Sequence, residues 1–375
     1  MKYNWRRLIA HVDMDAFFAS IEQTKDSTLI GKPLVVTSNP MSKTIVAASY
    51  EAKALGCVVG TKIPPNTQVI IKHADLDVYR SLSDKIMATL NTFTPSIEIF
   101  SIDEAYLDLS GMHHIYPSEI SLIEAIQSTI YHQFKITCSI GLGENKSLAK
   151  VASKVNKPHG YYIIPPKTGR AYLANKPVDT LCGVGIKMKH FLNKHGVINC
   201  GDITRIPISL LSTQFGEIGR RIYYMCLGKG PHELNPPPAM PKSMGTSKMI
   251  KPTTYSYNEI HPLLDGLCYK LAYRLRSKGL YAQKYSLTLY HHKTAYVFKY
   301  QTPNYTHYHD DIRMVLKSVE SLTWPLFITR IAIRTADITN EISQDLFSNQ
   351  DQHIEDVMDL INQRWNKVSI KRSSR

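Results

Sequence analysis

Three acidic residues could together hold a hard cation if the chain gathers them: Asp13 near the N-terminus, and the adjacent pair Asp103 and Glu104. The pair lies in IEIFSIDEAYLDLS, from Ile97 to Ser110, where Ile97, Ile99, Tyr106, Leu107 and Leu109 flank it in an alternating pattern. That period predicts two strands or a hairpin with the acids at its bend. On a straight strand Asp103 and Glu104 would point to opposite faces, so both can serve one site only where the backbone turns. Neighbouring carboxylates among apolar strand residues cost desolvation energy unless a positive partner sits on them. A divalent cation fits hard oxygen ligands, most often Mg²⁺ where phosphates are handled. The alternative is an exposed hairpin tip with solvated acids.

LIAHVDMDAFFASIEQ predicts a strand from Leu8 to about Asp13 that runs into a helix beginning near Ala16. Asp13 then sits at a strand end, where open sheets tend to place their chemistry. Asp15 reads as the N-cap of the helix, accepting from free backbone N–H groups. KITCSIGLG (Lys135 to Gly143) is an alternating strand that turns through glycine into helical KSLAKVASKV. Strands and helices alternating in this way predict a sheet covered on one face by helices. Lys146, Lys150 and Lys154 fall on one face of that helix, a stripe that ordinarily is a solvated surface.

At 375 residues the chain suits two to four small domains. Lys plus Arg number 45 against 31 acids, and a net charge of +14 favours a polyanionic partner. Between Pro241 and Tyr300 ten basic residues, Lys248 among them, face only Glu259 and Asp265. The six cysteines form no C-x-x-C pair, which reads as reduced thiols in a cytosolic protein rather than zinc ligands or disulfides. Nothing resembles a signal peptide, and no apolar run is long enough to span a bilayer. Gly183-Val184-Gly185 lies between two short helices, where the absence of Cβ atoms lets helix-start N–H groups approach a phosphate, with Lys187 and Lys189 nearby. LNPPPAMPKSMG (Leu234 to Gly245) reads as a stiff extended tether rather than part of a core. Beyond it the order strand, helix, strand, strand, helix, strand predicts a βαββαβ unit with a basic face.

HVDMDAFFASIEQ, VAASYEAKALG, SIDEAYLDLS and SIGLGENKSLAKVASKVNKPHG, in this order and spacing, resemble the motifs of the Y-family translesion DNA polymerases, nearest to the DNA polymerase IV branch, over roughly residues 8 to 340. The resemblance implies an α+β, multidomain right-hand polymerase with an added βαββαβ little finger. Its parts would be a palm at 1–14 and 76–165, fingers at 15–75, and a thumb with a helix-hairpin-helix at 166–233. A linker at 234–244, the little finger at 245–340 and a tail at 341–375 would follow. It further implies that Asp13, Asp103 and Glu104, with the Met14 carbonyl, hold two Mg²⁺ ions. Phe17, Phe18, Tyr50, Lys53 and Lys157 would bind the deoxynucleoside triphosphate, Phe18 as a steric gate against the ribose 2′-hydroxyl. Lys53 stands where that branch usually has arginine, which exchanges a planar fork for a point charge. Gly183, Gly185, Lys187 and Lys248 would contact primer–template DNA.

Leu346 and Phe347, in SQDLF, keep the end of a sliding-clamp peptide without its usual leading Gln. EAKALG and the final stretch VMDLINQRWNKVSIKRSSR are similar to the UmuC-like branch. The expected protein is a cytoplasmic monomer of low fidelity with no proofreading domain. A palm-like nucleotide cyclase and a non-catalytic DNA-binding relative are the alternatives.

Overall fold

The protein is described by a computed structural model covering residues 3–38, 40, 42–235, 240–292, 294–341 and 357–361, the side chain at 113 excepted. The chain divides into two compact units, Met1–Pro237 and Pro238–Arg375.

The first unit runs β1 (Ile9–Met14), α1 (Phe17–Lys25), β2 (Leu34–Thr37), β3 (Ile45–Ala48), α2 (Tyr50–Ala54), β4 (Ile70–His73), α3 (Leu76–Leu90), β5 (Ile97–Ile99), β6 (Glu104–Asp108), α4 (Glu119–Phe134), β7 (Cys138–Gly143), α5 (Lys146–Ala152) and β8 (Tyr161–Ile163). Helices α6 (Gly169–Ala174), α7 (Ile186–Lys194) and α8 (Ile208–Cys226) follow. One sheet has the order β5-β6-β1-β7-β8 and a smaller one the order β3-β2-β4.

The β5–β6 hairpin expected from the alternating residues is present, pairing Ile97 with Leu107 and Ile99 with Ala105. Strand β1 is central, antiparallel to both β6 and β7, and all six of its residues are buried. Such a strand can be apolar on both faces, because helices or loops cover each side. Val12 and Met14 join Leu107, Ile140 and residues of α3 and α4 in the main core. Helices α6, α7 and α8 build a separate cluster around Leu173, Leu192, Leu211 and Ile222.

Three expectations are corrected here. Asp15 does not cap α1: the capping position is Ala16, in the left-handed region at φ 47°, and the helix start has no side-chain cap. The bend turns the Asp15 side chain away from the helix and into the sheet. The lysine stripe is not a solvated surface over its first two members: Lys146 and Lys150 are buried against carboxylates, and only Lys154, beyond the end of α5, is exposed. The stretch before the proline run is not free tether either. Leu234 packs on Ile9, Tyr106 and Ala149, and the Asn235 N–H donates to Glu98 at 2.6 Å.

The second unit is β9 (Ser243–Tyr255), α9 (Tyr257–Arg276), β10 (Tyr281–His291), β11 (Thr294–Thr306), α10 (His309–Arg313), α11 (Lys317–Glu320) and β12 (Leu326–Thr339). Its antiparallel sheet, in the order β11-β10-β12-β9, matches the predicted βαββαβ unit. Leu264, Leu271 and Leu275 of α9 pack against Leu287, Leu289 and Ile331, which fixes the buried face of the sheet. A short helix at 357–361 is tied to α9 by a two-pronged ion pair from Arg276 to Asp359. The SQDLF segment lies outside the described residues. Among the described residues no helix is long and apolar enough to cross a membrane.

Candidate active site

Backbone pairing brings the three acids together. Asp13, next to last in β1, lies opposite Glu104, the first residue of β6, and the Met14 N–H donates to the Asp103 carbonyl at 2.9 Å. Asp103 lies in the turn between β5 and β6, so the backbone bends at the acidic pair as the shared site requires. That turn is fastened from α3 by Ser83, whose hydroxyl donates to the Ile102 carbonyl at 2.5 Å. Ser101 Oγ bridges the pair, 2.5 Å from Asp103 and 3.3 Å from Glu104.

The carboxylates face lysines. Lys157, just beyond α5, donates to Asp13. Lys150 Nζ is 2.6 Å from Glu104 Oε1 and 3.4 Å from His11 Nε2. His11, with no exposed surface, holds Ser153 Oγ at 2.8 Å through Nδ1 and packs on Tyr106. Burial first, then Lys150 and Lys157, hold the His11 imidazole well below its ordinary range, so it is neutral beside the lysine. Burial pushes the Asp13 carboxyl up to about 6; Lys157 opposes the shift, while Glu104 and Asp103 add to it. Burial of the carboxyl therefore outweighs the relief that Lys157 gives it.

Among the described residues no three His, Cys, Asp or Glu side chains are gathered at metal-ligand spacing. The physical reason is visible at each acid, where a lysine or Ser101 takes the oxygen a cation would share. The donors nevertheless fit a hard divalent cation. All are carboxylate oxygens, and strand pairing gathers them at one end of the β1–β6 ladder.

The expected nucleotide residues surround this pocket. Tyr50 and Lys53 share α2, with Lys53 Nζ 4.2 Å above the Tyr50 ring centre. Burial and then Lys157 lower Lys53, and burial, ahead of Asp15, raises Tyr50. The Tyr50 hydroxyl donates to Asp15 at 3.2 Å. Phe17 is buried in the core, whereas Phe18 is partly exposed and stacked on Tyr79. Their backbone N–H groups open α1, where no side chain caps them.

The expected DNA contacts divide. Gly183, at φ 100°, makes the turn before Gly185, which starts α7. Ile186 there is 90% exposed, leaving the helix start open, and Lys187 is exposed beside it. Lys189 is engaged with Asp179 at 2.7 Å. Gly216, at φ 61°, breaks α8 into a second such turn. Lys248 is exposed on the edge strand, but its partner in register is the core residue Ile331, so it shares the helix-side face. The opposite face carries Lys284, Lys299, Arg330 and Arg334. A shallow depression of about 590 Å³ opens there, lined in part by Lys284, Ser286, Lys299, Gln301 and Arg334.

Residue-by-residue reading missed His11, Ser101, Tyr79, Lys150 and Asp15 as parts of the site. Lys150 was the most accessible of them, because it lies on the helix face between Lys146 and Lys154. His11 and Asp15 reach partners on distant elements and Tyr79 stacks on Phe18 from α3, which no local pattern reveals, while Ser101 sits in the turn beside the acids it bridges.

Residues 12–154 match the impB/mucB/samB family, 179–229 match the DNA polymerase-iota thumb domain, and 241–363 match the impB/mucB/samB C-terminal domain. The chain is 35% identical to DNA polymerase IV of Halorhodospira halophila over 292 residues, covering 76% of this chain and 81% of that one. It is 30% identical to DNA polymerase IV of Photorhabdus laumondii, covering 72% and 78%. A solved Y-family DNA polymerase chimera superposes with a TM-score of 0.72 at 24% identity, covering 89% of this chain and all of that one.

Proposed function

This chain belongs to the impB/mucB/samB family of Y-family DNA polymerases, and from that premise we propose how its residues divide the work of template-directed synthesis. It is a DNA-directed DNA polymerase of the translesion type, acting on primer–template DNA and deoxynucleoside triphosphates with a divalent metal. The cyclase and non-catalytic alternatives are not favoured.

In our reading Asp13, Asp103 and Glu104 hold two Mg²⁺ ions together with the Met14 carbonyl. Bound there, the cations would activate the primer 3′-hydroxyl and neutralise the leaving pyrophosphate. The observation that carries this reading is the backbone pairing of Asp13 with Glu104, locked by the Met14–Asp103 hydrogen bond. Lys157, Lys53, Tyr50 and the amides of Phe17 and Phe18 meet the triphosphate, and Phe18 closes against the 2′-position of its sugar. Lys150, supported by neutral His11, keeps Glu104 aimed at the primer side.

The five-stranded sheet serves as palm, the three-stranded sheet with α2 as fingers, and α6 to α8 as thumb. The two glycine turns of the thumb and the basic open face of the second unit grip the DNA backbone. Low fidelity, monomeric action in the cytoplasm and clamp docking through Leu346 and Phe347 complete the reading.

Primer extension with Mg²⁺ and all four deoxynucleotides, beside Asp103→Ala, tests it. Extension by the wild type that vanishes in a variant still binding DNA is the expected result. A wild type that binds DNA but never extends a primer would reject it. DNA affinity should also fall steeply with salt, because several phosphates are neutralised.

A further inference from the structure

Asp15 has no part in the metal site just described, yet it is only 1% exposed. Its carboxylate accepts four hydrogen bonds. Ser139 Oγ at 2.7 Å and the Tyr50 hydroxyl at 3.2 Å reach one oxygen, while Thr137 Oγ1 at 3.0 Å and the His159 backbone N–H at 2.8 Å reach the other. Lys157 Nζ stands 3.9 Å away, between Asp15 and Asp13. An ionised carboxylate has about four lone-pair positions, so its accepting capacity is filled.

These donors come from three separated parts of the unit. Tyr50 opens α2, Thr137 and Ser139 lie at the start of β7, and His159 is in the turn carrying Lys157. We infer that Asp15 is the positioning residue of the triphosphate site, setting the Tyr50 hydroxyl and the Lys157 turn against the palm sheet. The inference rests on the nucleotide roles proposed above for Tyr50 and Lys157.

Three of the four bonds belong to the framework and fix the carboxylate. The fourth, from Tyr50, is the longest and comes from helix α2, outside the five-stranded sheet. Tyr50 has one O–H to donate, and Asp15 holds it. An arriving phosphate oxygen offers an acceptor of the same charge, so the hydroxyl can pass from Asp15 to phosphate with one charge-assisted hydrogen bond before and after. Asp15 thus stores Tyr50 in a loaded orientation without trapping it.

Asp15→Asn keeps the shape but leaves one accepting oxygen. The His159 N–H can only donate, so the amide oxygen turns toward it and the NH₂ meets Ser139 and Tyr50. Both hydroxyls can rotate to accept from it, and the Tyr50 O–H is then no longer directed by an acceptor at Asp15.

The test is single-nucleotide insertion kinetics, together with equilibrium titration of a deoxynucleoside triphosphate carrying a non-cleavable α,β-methylene bridge. Both are run on wild type, Asp15→Asn, Tyr50→Phe and the double variant, with thermal melting of each. Asp15→Asn should raise KM and the analogue Kd by about tenfold, with DNA affinity unchanged. In the Tyr50→Phe background the same substitution should cost less, because the two act through one bond. Wild-type analogue affinity in a folded Asp15→Asn, or effects that multiply independently in the double variant, would overturn the inference. If Asp15→Asn fails to fold, Ser139→Ala removes a single bond at the Tyr50-bearing oxygen and should shift Kd in the same direction; no shift would overturn it. A wild type that binds the analogue but does not extend a primer rejects the polymerase reading while leaving the Asp15 comparison decisive. A wild type that binds no analogue overturns both.

Discussion

Phe18 lies against Tyr79, ring centroids 4.3 Å apart and planes 20° from parallel, and Tyr79 donates its hydroxyl to Glu22 at 2.8 Å. Tyr79 is fully buried, so the partly exposed Phe18 ring rests on a fixed backing. A ring so braced can exclude a hydroxyl sterically, because it cannot yield without disturbing the core. Phe18→Ala should raise ribonucleotide incorporation relative to deoxynucleotide by about tenfold to a hundredfold. Competitive incorporation assays check this, and unchanged sugar discrimination would remove Phe18 from that role.

Asp13 is buried at a cost that its lysine does not fully offset, as its carboxyl near 6 indicates. With a chelator present at neutral pH, Asp13→Asn should therefore stabilise the protein, by about 1–3 kcal/mol. Adding Mg²⁺ should raise the melting temperature of the wild type and leave that of the variant almost unmoved. Calorimetric melts with and without Mg²⁺ decide both points. Equal Mg²⁺ responses would mean that the cation binds elsewhere.

His307 in the second unit stacks on Tyr281 at 4.2 Å, and burial, then Arg276, push its imidazole down to about 4. The unfolded value is near 6.5, so between these pH values the folded state binds fewer protons. Stability from this group is complete above about 6.5 and is lost as pH falls toward 4. Between pH 7 and pH 5 the loss should be about 1–2 kcal/mol. His307→Phe, which preserves a stacked ring, should flatten that part of the profile in urea titrations of the full chain. An unchanged slope would assign the pH dependence to other groups.

Gly141 sits where β7 meets α5, and a Cβ there would stand 2.1 Å from the Ala149 carbonyl oxygen and 2.2 Å from the Ser153 nitrogen. Both are backbone atoms, so neither can swing aside. Gly141→Ala should cost more than about 3 kcal/mol and draw Lys150 away from Glu104. Urea unfolding measures the first effect. A variant as stable as the wild type would show that α5 does not lie this close to the strand.

The elements were legible in the local pattern of residues. Alternation around Ile97 to Leu109 implied the hairpin, the strand carrying Asp13 near its end was legible, and the order after the proline run implied βαββαβ. These signals are local, because side-chain period reports which residues one element can bury together. Tertiary structure decided what each polar group touches. Asp15 looked like a helix cap because a polar residue ahead of a helix ordinarily is one, but the left-handed Ala16 turned it onto β7 and Tyr50. Lys150 looked solvated because helical spacing says nothing of the neighbour, and that neighbour proved to be Glu104, 46 residues earlier in the chain. Lys248 looked like part of a basic face because charge was counted along the chain, whereas strand register set it opposite Ile331. Periodicity fixes which face a residue occupies within its own element; only pairing and packing between distant segments fix what lies across from it.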